Sequence, residues 1–274
     1  MKMLYEKISS NGRQILEIVI LAVLACIPWI INLQELFKDY LLDNPISPDN
    51  FLWQIALRYG KPIASVIILV SVLVVVRRFN QGFVMNRKLV YHDYSYAWYW
   101  FCAKILGITA CDLVLVPIYM QFKLVIRATF LEYPLDETEY PVVENETESM
   151  ISELNHEKEG REVNLILEDT YSIEHSQIPK TKQEYRTIKI SRNNGVDGSR
   201  HFSQQYIDEM INYVRGLNDK VVINVFSTTS PFNTLHIAKR VFGLGERGNI
   251  EHLYVFQQSK DGARHFEENG RKIY

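Results

Sequence analysis

The sequence predicts a membrane protein with an N-terminal two-helix transmembrane hairpin and a C-terminal α/β Rossmann-like domain, joined through a small juxtamembrane β-containing unit. Three observations carry this. Two uncharged apolar runs, 19–33 (VILAVLACIPWIINL) and 62–76 (PIASVIILVSVLVVV), fall within the first 80 residues. Beyond residue 160, β-branched runs alternate with segments of helical periodicity. Ten acidic residues between 132 and 159 separate the two regimes. The expected organisation is a hairpin over 1–79, an aromatic/β unit over 80–131, an acidic linker over 132–160 and an α/β domain over 161–274.

A bilayer crossing takes about 20 apolar residues. The first run suffices when counted from Ile15 to Leu33, and no small-x-small cleavage site follows it. The second is short, but Lys61 and Tyr59 on one flank and Arg77 and Arg78 on the other are able to snorkel. Two core helices of a soluble protein are the alternative, yet runs this free of polar residues are uncommon in a small core. Lys2, Lys7 and Arg13 precede the first span, and Arg77, Arg78, Arg87 and Lys88 follow the second. The basic bias therefore places both termini in the cytoplasm, residues 34–61 outside, and the chain in the cytoplasmic (inner) membrane. Within the outer loop, residues 51–58 (FLWQIALR) read as a short interfacial helix with Trp53 at headgroup level.

The formal net charge of −2 suggests no DNA or RNA duplex as a partner. Cys26, Cys102 and Cys111 lack paired spacing, so neither a disulfide framework nor a zinc site is supported.

In the middle segment, residues 98–116 tempt a third span, but Lys104 and Asp112 lie inside it. Each would cost about 2.5–3.5 kcal/mol at a bilayer centre. Residues 118–127 alternate apolar and polar, Val125 excepted, which predicts a half-buried strand; residues 112–116 read as another. The aromatic stretch 91–100 (YHDYSYAWYW) suits either a lipid-contacting collar or a packed subdomain. The acidic stretch that follows has the composition of a solvated connector. Its sequon, Asn145 to Thr147, is a chance match on the cytoplasmic side.

In the last segment, residues 163–167 and 187–190 read as strands, the latter followed by a turn at 192–195. Ser203 caps a helix with apolar Tyr206, Ile207, Met210, Ile211, Val214 and Leu217. Residues 221–226 form a strand, Ser230 and Pro231 open a helix ending near Gly243, and 253–256 form another strand. A short helix over 263–268 and a last strand over 272–274 complete a mostly parallel sheet covered on both sides. Such a module, from about Gly160, is expected to fold alone. The G-x-G-x-x-G match at 243–248 follows a helix and precedes a strand, the reverse of a dinucleotide site, and reads as a helix C-cap.

The chemistry-bearing loop is Ser227, Thr228, Thr229 and Ser230, between a strand's carboxyl end and a helix N-terminus. Open α/β sheets bind ligands there, and free amides with hydroxyls suit phosphate or ribose. Ser and Thr also serve as ordinary turn residues, so a purely structural loop stays open. Asp169, Thr170 and Tyr171, and Gln257 and Gln258, belong to strand ends on the same rim. Arg192 and Asn193, or Arg200, reach a phosphate if their loop folds over. No nucleophile elbow, phosphate-binding Walker loop or paired-histidine metal motif is present, so no enzyme and no cofactor is expected.

Residues 221–274, with the strand, small-polar loop and proline of VFSTTSPFNTLHIAKRVFG and the closing strand LYVFQQ, resemble the last half of SAVED domains and, more loosely, CARF domains. That resemblance implies a cyclic oligonucleotide as ligand, a bacterial defence role and a homo-oligomer, since the chain has room for one of the two halves of a SAVED domain. It implies a membrane-anchored sensor whose nucleotide second messenger drives hairpin assembly in the lipid bilayer, permeabilising it. A membrane-tethered scaffold without a small ligand, and a membrane-bound hydrolase or transferase using Asp169, remain the alternatives.

Cysteine accessibility across sealed vesicles tests the orientation. Probes within 34–61 are expected to react from outside and one at Tyr274 from the cytoplasmic side; the opposite result inverts the assignment.

Overall fold

A computed structural model describes residues 11–31, 51–135, 141, 149–155, 157, 160–192, 200–217, 220–243, 248–259 and 263–274, with 51–58 as backbone only. Two compact units emerge: Met1–Phe83 with Trp100–Thr109, and Val84–Tyr99 with Ala110–Tyr274.

The first unit holds helices α1 (Gly12–Ile30) and α2 (Phe51–Phe79), both long and apolar enough to cross a membrane. They pair antiparallel: Arg13 donates to the Phe79 carbonyl (2.9 Å), and the Trp29 indole donates to Ser65 Oγ (3.0 Å). Their outer faces stay bare, with Leu16, Val23, Val66 and Ile67 each more than half exposed. Apolar surface of that extent calls for lipid or another chain. Residues 51–58 are not a separate interfacial helix. They continue straight into the span, with Pro62 inside the helix.

In the second unit, β1 (Val84–Met85) pairs in parallel with β2 (Ala110–Cys111). Between them in sequence, α3 (Tyr96–Trp100) runs on as a π-helical turn, Phe101–Ile105, which is counted with the first unit. Helix α4 (Ile118–Ile126) lies where alternation predicted a strand. Pro117 starts it, accepting from the Met120 and Gln121 amides. The alternation misled because buried Met120, Phe122 and Leu124 mimic period two, while buried Gln121 and Val125 reveal the helix. Residues 112–116 are also no strand. Asp112 Oδ1 accepts the Val114 amide (2.8 Å), closing a turn that puts Leu115 at φ 58°.

The six-stranded sheet comprises β3 (Met150–Leu154), β4 (Glu162–Glu168), β5 (Arg186–Ser191), β6 (Val221–Ser227), β7 (Ile250–Phe256) and β8 (Arg271–Lys272). Its order is β3–β5–β4–β6–β7–β8. The four central strands are parallel, and both edge strands are antiparallel. Thus part of the acidic stretch read as a connector is an edge strand. Helix α5 (Gln204–Arg215) leads from β5 to β6, with Ser203 Oγ capping the Tyr206 amide. Helix α6 (Pro231–Ile237) and a π-helical turn, Ala238–Phe242, lead to β7.

One sheet face carries Ile166, Phe226 and Phe256 in register, covered not by helix but by Ile173, Ile178 and Phe266 from irregular segments. The expected helix over 263–268 is therefore absent. Phe266 instead bridges to Gln258 and its amide donates to the Gln177 carbonyl, committing that backbone to extended pairing. Alternate positions Leu165, Val225 and Val255 point the other way and are buried. α4 and α5 each pack against α6 and the π-helical turn that follows it, with Phe122 edge-on to Phe242 at 5.9 Å.

A fragment beginning at Gly160 leaves Phe242 without Phe122. In the full chain, Phe122→Ala is expected to cost about 3–5 kcal/mol. A denaturant melt followed by near-UV circular dichroism checks this; a loss below about 1 kcal/mol would place α4 outside the core.

Candidate functional site

The order of the parallel strands reverses between β4 and β6, so the carboxyl ends of these neighbours form a topological switch point. Asp169 follows β4 there, and Ser227 to Ser230 close β6 and cap α6. The structure brings these residues together, but turns them inward. Asp169 is fully buried. Its Oδ2 accepts the Ser230 amide (2.9 Å) and the Asn233 side chain (2.8 Å), while its Oδ1 lies 3.1 Å from Arg192 Nε. Arg192 is equally buried and donates to the Asp169 carbonyl (3.3 Å). Burial raises the Asp169 pKa, and the hydrogen bonds from Ser230 and Asn233 and the Arg192 charge oppose it.

The anion at the α6 N-terminus is thus the protein's own carboxylate. The loop hydroxyls are likewise engaged. Ser227 Oγ and Thr229 Oγ1 are 2.7 Å apart, and Thr229 Oγ1 is 2.7 Å from Thr234 Oγ1. Thr228 Oγ1 donates to the Tyr171 carbonyl (2.8 Å), and Ser230 Oγ accepts the Asn233 amide (3.3 Å). Thr170 Oγ1 donates to the Thr228 carbonyl (2.6 Å). All four loop residues are buried.

More exposed groups lie further along the rim. The Tyr171 hydroxyl donates to Gln258 Oε1 (3.0 Å), and Arg264 stacks over the Tyr171 ring at 4.3 Å. Gln257 Oε1 accepts the Ile118 amide (2.9 Å), which ties it to α4 rather than to the rim. Arg200 is exposed, and Asn193 lies outside the described residues. Glu168, beside Asp169 but on the opposite face, is held by Ser191, Lys189 and the Ile173 amide, each at 2.6 Å. Asn233, Arg264 and a half-buried cluster of Phe202, Phe232 and His236, with centroids 4.8–5.4 Å apart, went unnoticed in the sequence. Asn233 had a signal: it stands three residues after the Ser230 cap, where a side chain turns back on the helix start. Among the described residues, no group of three or more His, Cys, Asp or Glu is placed to hold a metal ion.

The hairpin carries its own polar constellation at the end where α1 begins and α2 ends. Buried Asn80 donates to Glu17 (2.9 Å) and the Leu106 carbonyl (2.9 Å), and accepts from Arg13 (2.9 Å). Arg13 also pairs with Glu17 (3.0 Å). Arg77 donates to the Lys104 carbonyl (2.7 Å), packed so closely on Gly107 that a Cβ there would meet Arg77 Cγ at 2.8 Å.

Fold and site define a chain with two candidate membrane-spanning helices ahead of an α/β unit built around a mixed sheet. Its whole length, residues 1–274, matches the SUa-2TM family, described as the SMODS- and Ubiquitin system-associated 2TM effector domain. The chain belongs to that family, and is a membrane effector of SMODS-associated, nucleotide-signalling conflict systems. No curated protein matches it.

Removing one partner of a buried ion pair strands the other. Arg192→Met is expected to cost about 3–5 kcal/mol, and adding Asp169→Asn to recover part of it. Denaturant midpoints of the single and double variants provide the check; a single variant as stable as the parent would show that the pair is dispensable.

Proposed function

We propose that the α/β unit binds a nucleotide second messenger, a cyclic oligonucleotide, on the cytoplasmic side, and that binding assembles copies of the chain so that their hairpins permeabilise the membrane. The observation that carries this reading is one chain joining a hairpin with bare apolar faces to an α/β unit, within a family of effectors from SMODS-associated systems. In this reading the chain carries no catalytic centre, both termini are cytoplasmic, and the working form is a homo-oligomer. A ligand shifts assembly only by its preference for the assembled state, so the messenger contacts more than one copy.

The resemblance of the last 50 or so residues to SAVED and CARF domains supports the ligand class. The geometry favours a site outside the switch-point loop itself, whose hydroxyls are buried. Half-exposed Tyr171, Gln258 and Arg264 suit phosphate and ribose, and Phe202, Phe232 and His236 offer stacking faces to a base. A protein-docking scaffold is the second reading. It is favoured by β3, whose five residues are all exposed and include Met150, Ile151 and Leu154.

Proteoliposomes loaded with a self-quenching dye separate the readings. Leakage is expected only when a cyclic oligonucleotide is added, and Arg264→Ala is expected to raise the required concentration about 10- to 100-fold, the worth of a charged hydrogen bond. Leakage unaffected by every nucleotide, with no thermal shift of the protein, would overturn the sensor reading in favour of the scaffold.

A further inference from the structure

The tip of the second unit between β1 and α3 combines exposed apolar and basic side chains. Leu89 is 89% exposed, the highest exposure of any large apolar residue described. Exposed Arg87 and Lys88 precede it. Leu115, 41% exposed, joins the same tip, because the His92 amide donates to the Leu115 carbonyl (2.9 Å).

This tip is held rigidly. At one end, Met85 is buried in the β1–β2 pair, and Asn86, at φ 67°, donates to the Tyr99 hydroxyl (3.1 Å). At the other, buried His92 has Nε2 at 2.9 Å from the Lys88 carbonyl. The Val90 amide closes the turn onto that carbonyl at 2.7 Å. The pinned turn thus displays Leu89 and Leu115 on one tip beside two exposed cations, the pairing of apolar and basic groups that an anionic lipid surface receives.

Covalent geometry limits what this tip meets. Leu89 stands ten residues beyond Phe79, where α2 ends. At 3.3–3.6 Å per extended residue the ten-residue connection reaches at most about 35 Å. The basic bias of Arg77, Arg78, Arg87 and Lys88 assigns this side to the cytoplasmic leaflet, which is anionic.

We infer that this tip is a second membrane contact. Leu89 and Leu115 enter the interfacial region, and Arg87 and Lys88 bind the phosphates of anionic phospholipids. The contact rests on insertion of the hairpin but not on nucleotide binding. It gives the second unit a lipid-dependent attachment beyond the covalent connection, worth about fivefold in partitioning per basic residue near the surface.

The test uses the full chain in nanodiscs of phosphatidylcholine alone or mixed with phosphatidylglycerol. Leu89→Cys carries an environment-sensitive fluorophore in a Cys26→Ser background, leaving Cys102 and Cys111, both buried, as the remaining thiols. Recovery of the chain in the disc fraction reports hairpin insertion separately. The expected result is several-fold stronger quenching by lipid-borne nitroxide in the anionic discs, lost in the Arg87→Glu, Lys88→Glu double variant. Circular dichroism melts verify that this surface change leaves the fold intact. A label that stays in water in anionic discs overturns the proposal. So does quenching that is equal in both lipids and indifferent to the charge reversal, which would mean apolar contact without phosphate recognition.

Discussion

A carboxylate with no exposed surface, facing a guanidinium with almost none, organises the α/β unit. Burying both charges is costly unless each is hydrogen-bonded. The Asp169 carboxylate gathers the amide and side chain of the α6 start through Oδ2 and faces the Arg192 guanidinium through Oδ1. Three elements are joined: the end of β4, the residue after β5 and the first turn of α6. The rim is therefore built from the protein's own groups, and the anion position at the α6 start is occupied from within. The same pair separates scaffold from surface: inside it are hydroxyls that bond one another, and outside it are Tyr171, Gln258 and Arg264.

Much of this was legible in the sequence, and the reasons are physical. The spans announced themselves by composition. The central strands were visible because parallel strands buried on both faces are β-branched runs, as in 221–226. Ser203 and Ser230 marked helix starts because an N-cap needs a short side-chain acceptor. Failures came where tertiary burial erased the periodicity. Helix α4 buries five of its nine residues and leaves only a narrow half-exposed face, with Tyr119 and Lys123, too short to mark the helical period. Strand β3 reads as solvated linker because an edge strand with acidic residues differs little in composition from one. The loop at 227–230 was placed correctly on the switch point, but a one-dimensional pattern does not say whether hydroxyls face ligand or core. That depended on Asp169, 61 residues from its partner Ser230.

The hairpin divides its chemistry by depth. Across the apolar length of α1 and α2 the described cross-helix hydrogen bond is Trp29 to Ser65, whereas the end near Asn80 concentrates Arg13, Glu17, Asn80 and the carbonyls they satisfy. Polar groups at that end lie where water and headgroups lower the cost of charge, and the mid-span faces are left to packing. One end keeps the two helices in register while the bare faces remain available to lipid or to other hairpins.

The two rims of the sheet are unequal. β8 is two residues long and consists of Arg271 and Lys272, the kind of short cationic margin that resists further pairing. β3 is five residues long, fully exposed, and among the described residues pairs on one side alone. Extension of the sheet is thus one-handed: a neighbour aligning on β3 finds no equivalent acceptor at the far margin. An isologous joining of two copies along β3 would close on itself rather than propagate as a filament.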